Sequence, residues 1–197
     1  MMETLSQRHF EKLANIINRG TGRAVQGFQE IIGESQPYWL EKGGIDVNTL
    51  QLDVGNYGVV EQEFTGLLNG KVLVLFTAEN VQCILQKMFG DGMDAQGLND
   101  VESEAMGELG NIMVNAGLSA IADSLHVLLE STVTCYKQHS TETIVNLIQQ
   151  ASNIDRILVT QVNLMIGQSA LLGGKLIMLL NNEFNQEIVE KIELSAM

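Results

Sequence analysis

The chain reads as an α/β protein made from a duplicated unit, and three features of its sequence say so. The segment Leu67-Leu-Asn-Gly-Lys71-Val-Leu-Val-Leu-Phe76 matches Leu171-Leu-Gly-Gly-Lys175-Leu-Ile-Met-Leu-Leu180. Each copy leads into an amphipathic helix pattern. Each is preceded, much further upstream, by a long helix candidate. Both halves therefore run helix, irregular and strand region, hairpin, helix. Apolar hairpins resemble one another by chance, but chance does not repeat an order of four elements. At 197 residues the chain suits a single domain made of two repeats, about 1–95 and 96–197.

The first long helix is expected from about Leu5 to Ile32, with Thr4 and Gln7 as a capping box. The second is expected from about Asp100 to Leu125, with Asn99 and Glu102 in the same role. Strands are expected at Val59–Thr65 and Lys71–Phe76, and again at Ile157–Ile166 and Lys175–Leu180. Asn69-Gly70 and Gly173-Gly174 read as the two-residue turns between them, because such turns need positive φ. Val81, Ile84, Leu85 and Met88 stripe the helix after the first hairpin, which Gly90 should end. Phe184, Ile188, Val189 and Ile192 stripe the helix after the second. Asp46–Val54 and Val127–Tyr136 look like further strands, Thr143–Gln150 like a short helix, and Asp91–Asn99 like the joint between halves.

Composition narrows the function. Hydrophobic residues make up 45% of the chain and there is one proline, which excludes disorder. A formal charge of −13 repels nucleic acid and anionic membrane at long range, so neither is an expected partner. Cys83 and Cys135 have no CxxC spacing, and His9, His126 and His139 have no ligand spacing, so no metal site is expected. The start lacks the apolar core of a signal peptide and no stretch suits a membrane span, which points to the cytoplasm.

The most informative stretch is Glu104-Ala-Met-Gly-Glu108-Leu-Gly-Asn111-Ile-Met-Val-Asn115. Steps of four, three and four place two carboxylates and two carboxamides along one helix face, about 5–6 Å from one to the next. Met106, Leu109, Ile112 and Met113 between them suit a core, which leaves the polar row for solvent or a partner. Exposed Glu and Asn on a helix are ordinary, and a solvated face is the plain explanation. Gly107, Gly110 and Gly117 make it less plain, since each costs about 1 kcal/mol relative to Ala inside a helix. Close approach of another backbone would compensate.

Glu108-Leu-Gly-Asn111-Ile resembles the signature of the CheC, CheX and FliY phosphatases of bacterial chemotaxis: Asp or Ser, three residues, Glu, two residues, Asn, and a downstream Pro. The resemblance implies an α/β fold with pseudo-twofold symmetry, two long helices side by side against a largely antiparallel sheet. Here Glu104 stands at the Asp/Ser position and Val133 at the Pro position. In the first half Leu13-Ala-Asn15-Ile aligns with the motif and Pro37 falls where a Pro is wanted, but Lys12 replaces the Glu and Arg8 the Asp/Ser. Glu11, beside Lys12, points about 100° away around the helix. The resemblance therefore places one working site in the second half.

The implied substrate is a phosphorylated response regulator of the CheY type, whose aspartyl phosphate is held with Mg²⁺ supplied by the regulator. Glu108 would pair with the regulator's active-site lysine, and Asn111 would orient the attacking water. Asn115 and Glu104 would sit at the rim of the contact. Two alternatives stay open. One is a non-catalytic CheC-like adaptor binding a regulator or a flagellar-switch component; the other is a cation site built on Glu104 and Glu108. A CheD-type deamidase partners some of the family, and an exposed strand edge could pair two copies into a homodimer.

Overall fold

A computed structural model describes residues 2–3, 5–32, 35–46, 50–90, 98–150, 156–166, 170–181 and 184–195. In chain order the elements are β1 (Met2–Glu3), α1 (Gln7–Ile32), β2 (Ser35–Asp46), β3 (Asn56–Gly66), β4 (Gly70–Thr77), α2 (Ala78–Phe89) and α3 (Leu98–Leu125). They continue with β5 (Leu129–Ser131), β6 (Cys135–Ser140), α4 (Thr141–Gln150), β7 (Arg156–Ile166), β8 (Ala170–Leu180), β9 (Phe184–Asn185) and α5 (Gln186–Leu194). The expected joint at Asp91–Asn99 falls largely outside the described residues, and α3 opens within its last two positions.

Seven strands form the main sheet in the order β2-β7-β8-β4-β3-β5, with β6 also on β3, and every pairing in it is antiparallel. The two repeated segments lie side by side at its centre. Leu73 faces Ile177, Lys71 faces Leu179 and Leu75 faces Lys175. Their runs Val72–Phe76 and Leu176–Leu180 are buried throughout, because helices cover both faces of the sheet. α1, α2, α3 and α5 share one core with Val60, Phe64, Val72, Val74 and Phe76. α4 covers the opposite face, setting Ile144 and Ile148 against Val59, Leu73, Leu75 and Ile177.

The expected stripes go inward: Val81, Ile84 and Leu85 on α2, and Ile188, Val189 and Ile192 on α5. Gly90 ends α2 at φ 78°, its N–H donating to the Gln86 carbonyl. The end of α3 uses His126 instead of glycine, at φ 50°. His126 N–H donates to the Asp123 carbonyl and Val127 N–H to that of Ala122, the Schellman pattern.

Several expectations are corrected. Neither Asn69-Gly70 nor Gly173-Gly174 is a two-residue turn. Gly70 already belongs to β4, and the loop before it is closed by Asn69 Oδ1, which accepts from Gly66 N–H at 3.0 Å. Gly173 and Gly174 lie inside β8, opposite Asn163 and Val162 of β7. Gly174 also faces Phe76, whose ring a Cβ there would meet at 3.1 Å, so the missing side chain makes room for an aromatic neighbour. Of the strand expected at Asp46–Val54, Asp46 is the last residue of β2, residues 47–49 lie outside the described residues, and residues 50–54 form no strand. Val127–Tyr136 splits into β5 and β6, because Thr132–Thr134 bulge out between the Phe64–Ser131 and Glu61–Cys135 pairs.

Both capping boxes differ from expectation. α1 is capped by Ser6, whose N–H donates to His9 Nδ1 at 3.1 Å while His9 N–H donates back to the Ser6 carbonyl at 3.0 Å. Gln7 instead donates to Glu11 Oε1 at 3.2 Å, and Thr4 lies outside the described residues. Asn99 is inside α3 rather than ahead of it. Glu102 turns to β6, accepting from the Tyr136 hydroxyl and, at 2.8 Å, from Gln138 Nε2.

Candidate functional site

α3 carries the polar row as its period requires. Glu104, Glu108, Asn111 and Asn115 fall within about 60° of arc around the axis. Glu104, Glu108 and Asn115 are exposed and Asn111 is half-buried. On the far side Met106, Leu109 and Met113 are buried in the main core, with Ile112 packed at its margin. Burial of that apolar side holds the helix fixed, so the acid and the amide are presented outward one turn apart. Within the row, Asn115 Nδ2 donates to Asn111 Oδ1 at 2.8 Å.

The glycines serve different ends. A Cβ at Gly110 would overlap the Val60 side chain, so this glycine lets α3 lie down on β3. The long helices touch elsewhere, where a Cβ at Gly20 would overlap Ala120 and the Ala116 carbonyl. A Cβ at Gly107 would meet nothing within 4 Å. That glycine sits beside Glu108, with no contact in the described chain that calls for it.

The corresponding place on α1 is differently made. Arg8, Glu11 and Asn15 are exposed, but Lys12 is only 8% exposed. Its ammonium donates to the carbonyls of Ile192, Glu193 and Ser195 at 3.1, 2.5 and 3.0 Å. These lie at the C-terminal end of α5, the negative end of the helix dipole, where a cation is favoured. Lys12 thus neither replaces an outward acid nor faces solvent. Pro37 lies on β2, at the sheet edge opposite Leu164, where a missing N–H is tolerated. Val133, at the other Pro position, is 91% exposed on the bulge between β5 and β6.

Sequence reasoning missed the anchor under the site's own helix. Burial and the neighbouring Glu102 push the Tyr136 hydroxyl far above its ordinary 10.0, so it remains a donor. The first turns of α3 are thereby tied to β6. No spacing signal links residues 34 positions apart. Among the described residues no group of three or more His, Cys, Asp or Glu could hold a metal ion. Among those residues, too, no helix is long and apolar enough to cross a membrane. A cavity of about 450 Å³ opens elsewhere, lined by Glu61, Glu63, Lys71, Leu147 and Asn181, and takes nothing from the α3 row.

No family model and no curated protein sequence matches the chain. Solved structures do. FliY of Thermotoga maritima matches with a TM-score of 0.71 at 15% identity, over 97% of this chain and 96% of that one. The chain has the CheC/CheX/FliY-like fold. A chain of the FliG–FliM complex from H. pylori matches this chain at TM-score 0.64 and 10% identity, over 95% and 98% of the two. A chain of the CheX–CheY–BeF3–Mg²⁺ complex from Borrelia burgdorferi matches at TM-score 0.55 and 11% identity, over 85% and 97%. Two long helices against an antiparallel sheet, implied by the family resemblance, are thus present in this chain.

Proposed function

We propose that the chain is a phosphatase for the aspartyl phosphate of a CheY-type response regulator, with α3 as the docking and reacting element. The observation that carries this reading is the outward presentation of Glu108 and Asn111, one turn apart on a helix whose other side is buried. Their sequence context resembles the phosphatase signature, and one solved structure of this fold is a complex of CheX with CheY, BeF3 and Mg²⁺. Glu108 makes a charge-assisted contact with a lysine of the regulator and sets the register. Asn111 enters beside the acyl phosphate and aligns a water. The water oxygen bonds to phosphorus as the bond from phosphorus to the aspartyl oxygen breaks. Carboxylate and phosphate are released, and both water protons leave with the phosphate. The regulator brings the Mg²⁺, and alignment is the chain's contribution. The open space over Gly107 fits a partner surface coming close to the helix.

One chain offers one such site, since Lys12 is committed to α5. The two halves descend from a duplication with an approximate twofold at the Leu73–Ile177 pair. The reciprocal register of Lys71 with Leu179 and Leu75 with Lys175 supports it, as does the exchange in which β2 pairs β7 while β6 pairs β3. The setting is the cytoplasm, where such regulators act.

The test is decay of a phosphorylated CheY-type regulator with wild type, Asn111→Ala and Glu108→Lys. Wild type accelerates decay, Asn111→Ala binds without accelerating it, and Glu108→Lys fails to bind. Unchanged acceleration with Asn111→Ala removes the mechanism. A second reading, an adaptor that binds a regulator or a switch component without catalysis, is favoured by the match to a chain of the FliG–FliM complex. Binding by wild type with no faster decay selects it.

A further inference from the structure

We infer that Asn115 is a positioning residue for Asn111, restraining the rotation of its carboxamide; this rests on the phosphatase reading above. Asn115 Nδ2 donates to Asn111 Oδ1 at 2.8 Å, across one helical turn. An amide oxygen has two lone pairs, so this bond takes one and leaves the other, together with both Nδ2 hydrogens, for the water and the phosphoryl group. Without a partner, a half-buried carboxamide such as that of Asn111 still samples both flip states and a broad range of its last torsion. Half of those orientations offer nitrogen where oxygen is needed. The Asn115 amide restrains that rotation: in the observed pair its Nδ2 holds the Asn111 oxygen, which turns the Asn111 Nδ2 away from residue 115. The apolar residues of the row's far side fix the helix, and Asn115 fixes the amide upon it. Asn115 is exposed and acts on the reaction through Asn111.

The inference separates two variants that a rim contact would not. Asn115→Ala releases the amide. Asn115→Asp removes the donor and leaves only acceptors, which draw Asn111 Nδ2 toward them and turn its oxygen away. Decay of a CheY-type receiver domain phosphorylated with acetyl phosphate is followed under saturating and limiting receiver. Asn115→Ala is expected to lower kcat about fivefold, the effect of one neutral hydrogen bond, with KM within about twofold of wild type. Asn115→Asp is expected to lower kcat further. Neither change should add to the loss in an Asn111→Ala background, as a double-mutant cycle for coupled residues requires. Losses that add in that cycle, or a rise in KM with kcat unchanged, overturn the positioning role and leave the phosphatase reading standing. No acceleration by wild type overturns both. A readout independent of activity accompanies the kinetics: the Asn115 side-chain amide resonances should shift in Asn111→Ala, and unshifted resonances overturn the pair itself.

Discussion

The Lys12 ammonium lies 2.5 Å from the main-chain carbonyl oxygen of Glu193, joining the first turns of α1 to the end of α5. The lysine that replaces the signature's Glu in the first half is thus a helix cap, with the carbonyls of Ile192 and Ser195 completing its contacts. Restoring the acid there should not restore a site. Lys12→Glu would set a carboxylate against three carbonyls, and Lys12→Met would lose the charge but keep the packing of the stem. Lys12→Met is expected to cost about 1.5–3 kcal/mol, the range for hydrogen bonds from a charged donor, and Lys12→Glu more. Urea unfolding measures the cost, and gained phosphatase activity in Lys12→Glu would contradict the assignment.

Asn15 is exposed on α1, and the position three residues before it, where the signature has an acid, holds this capping lysine. Asn15→Ala should leave regulator dephosphorylation within about twofold of wild type, as substitutions away from a reacting centre generally do. Abolished activity in this variant would move the working site to the first half.

The hydroxyl of Tyr136 donates to Glu102, which is 8% exposed, and anchors the start of α3. Tyr136→Phe leaves that carboxyl to the Gln138 amide and should cost about 1–3 kcal/mol. The sign of the pH dependence follows from the raised value in the folded state. The stabilisation is fully present below the ordinary 10.0 and is lost as pH rises above it toward the folded-state value. The stability gap between wild type and Tyr136→Phe should therefore be flat through neutral pH and narrow above about pH 10. A gap that widens there would refute the contact.

Two glycines one turn apart should respond oppositely. Gly107→Ala meets open space and should stabilise the helix by about 1 kcal/mol. In the docking reading it also intrudes on the partner's approach, so KM for the phosphorylated regulator should rise. Gly110→Ala drives a methyl into Val60 and should destabilise by about 1–3 kcal/mol. Part of that loss should return on adding Val60→Ala, and thermal unfolding of the single and double variants reads both effects.

What could be read from residue order was whatever depends on near neighbours. The stripes of α2 and α5 went inward as their spacing demanded, and Met106, Leu109 and Met113 turned to the core, leaving Glu104, Glu108 and Asn115 outside. Helical geometry alone fixes such relations, since positions three and four apart share a face wherever the helix packs. Gly173-Gly174 misled for the same reason. Glycine pairs favour turns locally, but here Phe76, almost a hundred residues earlier, faces Gly174 across the sheet.

The sequence by itself therefore determined the long helices, the hairpins and the acid–amide row, because each rests on periodicity within a few turns. Only the tertiary structure decided that Lys12 caps α5, that Glu102 meets Tyr136 instead of its own helix start, and that the repeated strands lie together at the centre of the sheet. Those outcomes depend on side chains finding unsatisfied carbonyls, hydroxyls and strand edges far along the chain. A buried polar group takes whichever partner the packed fold brings to it, and no local pattern records which one that is.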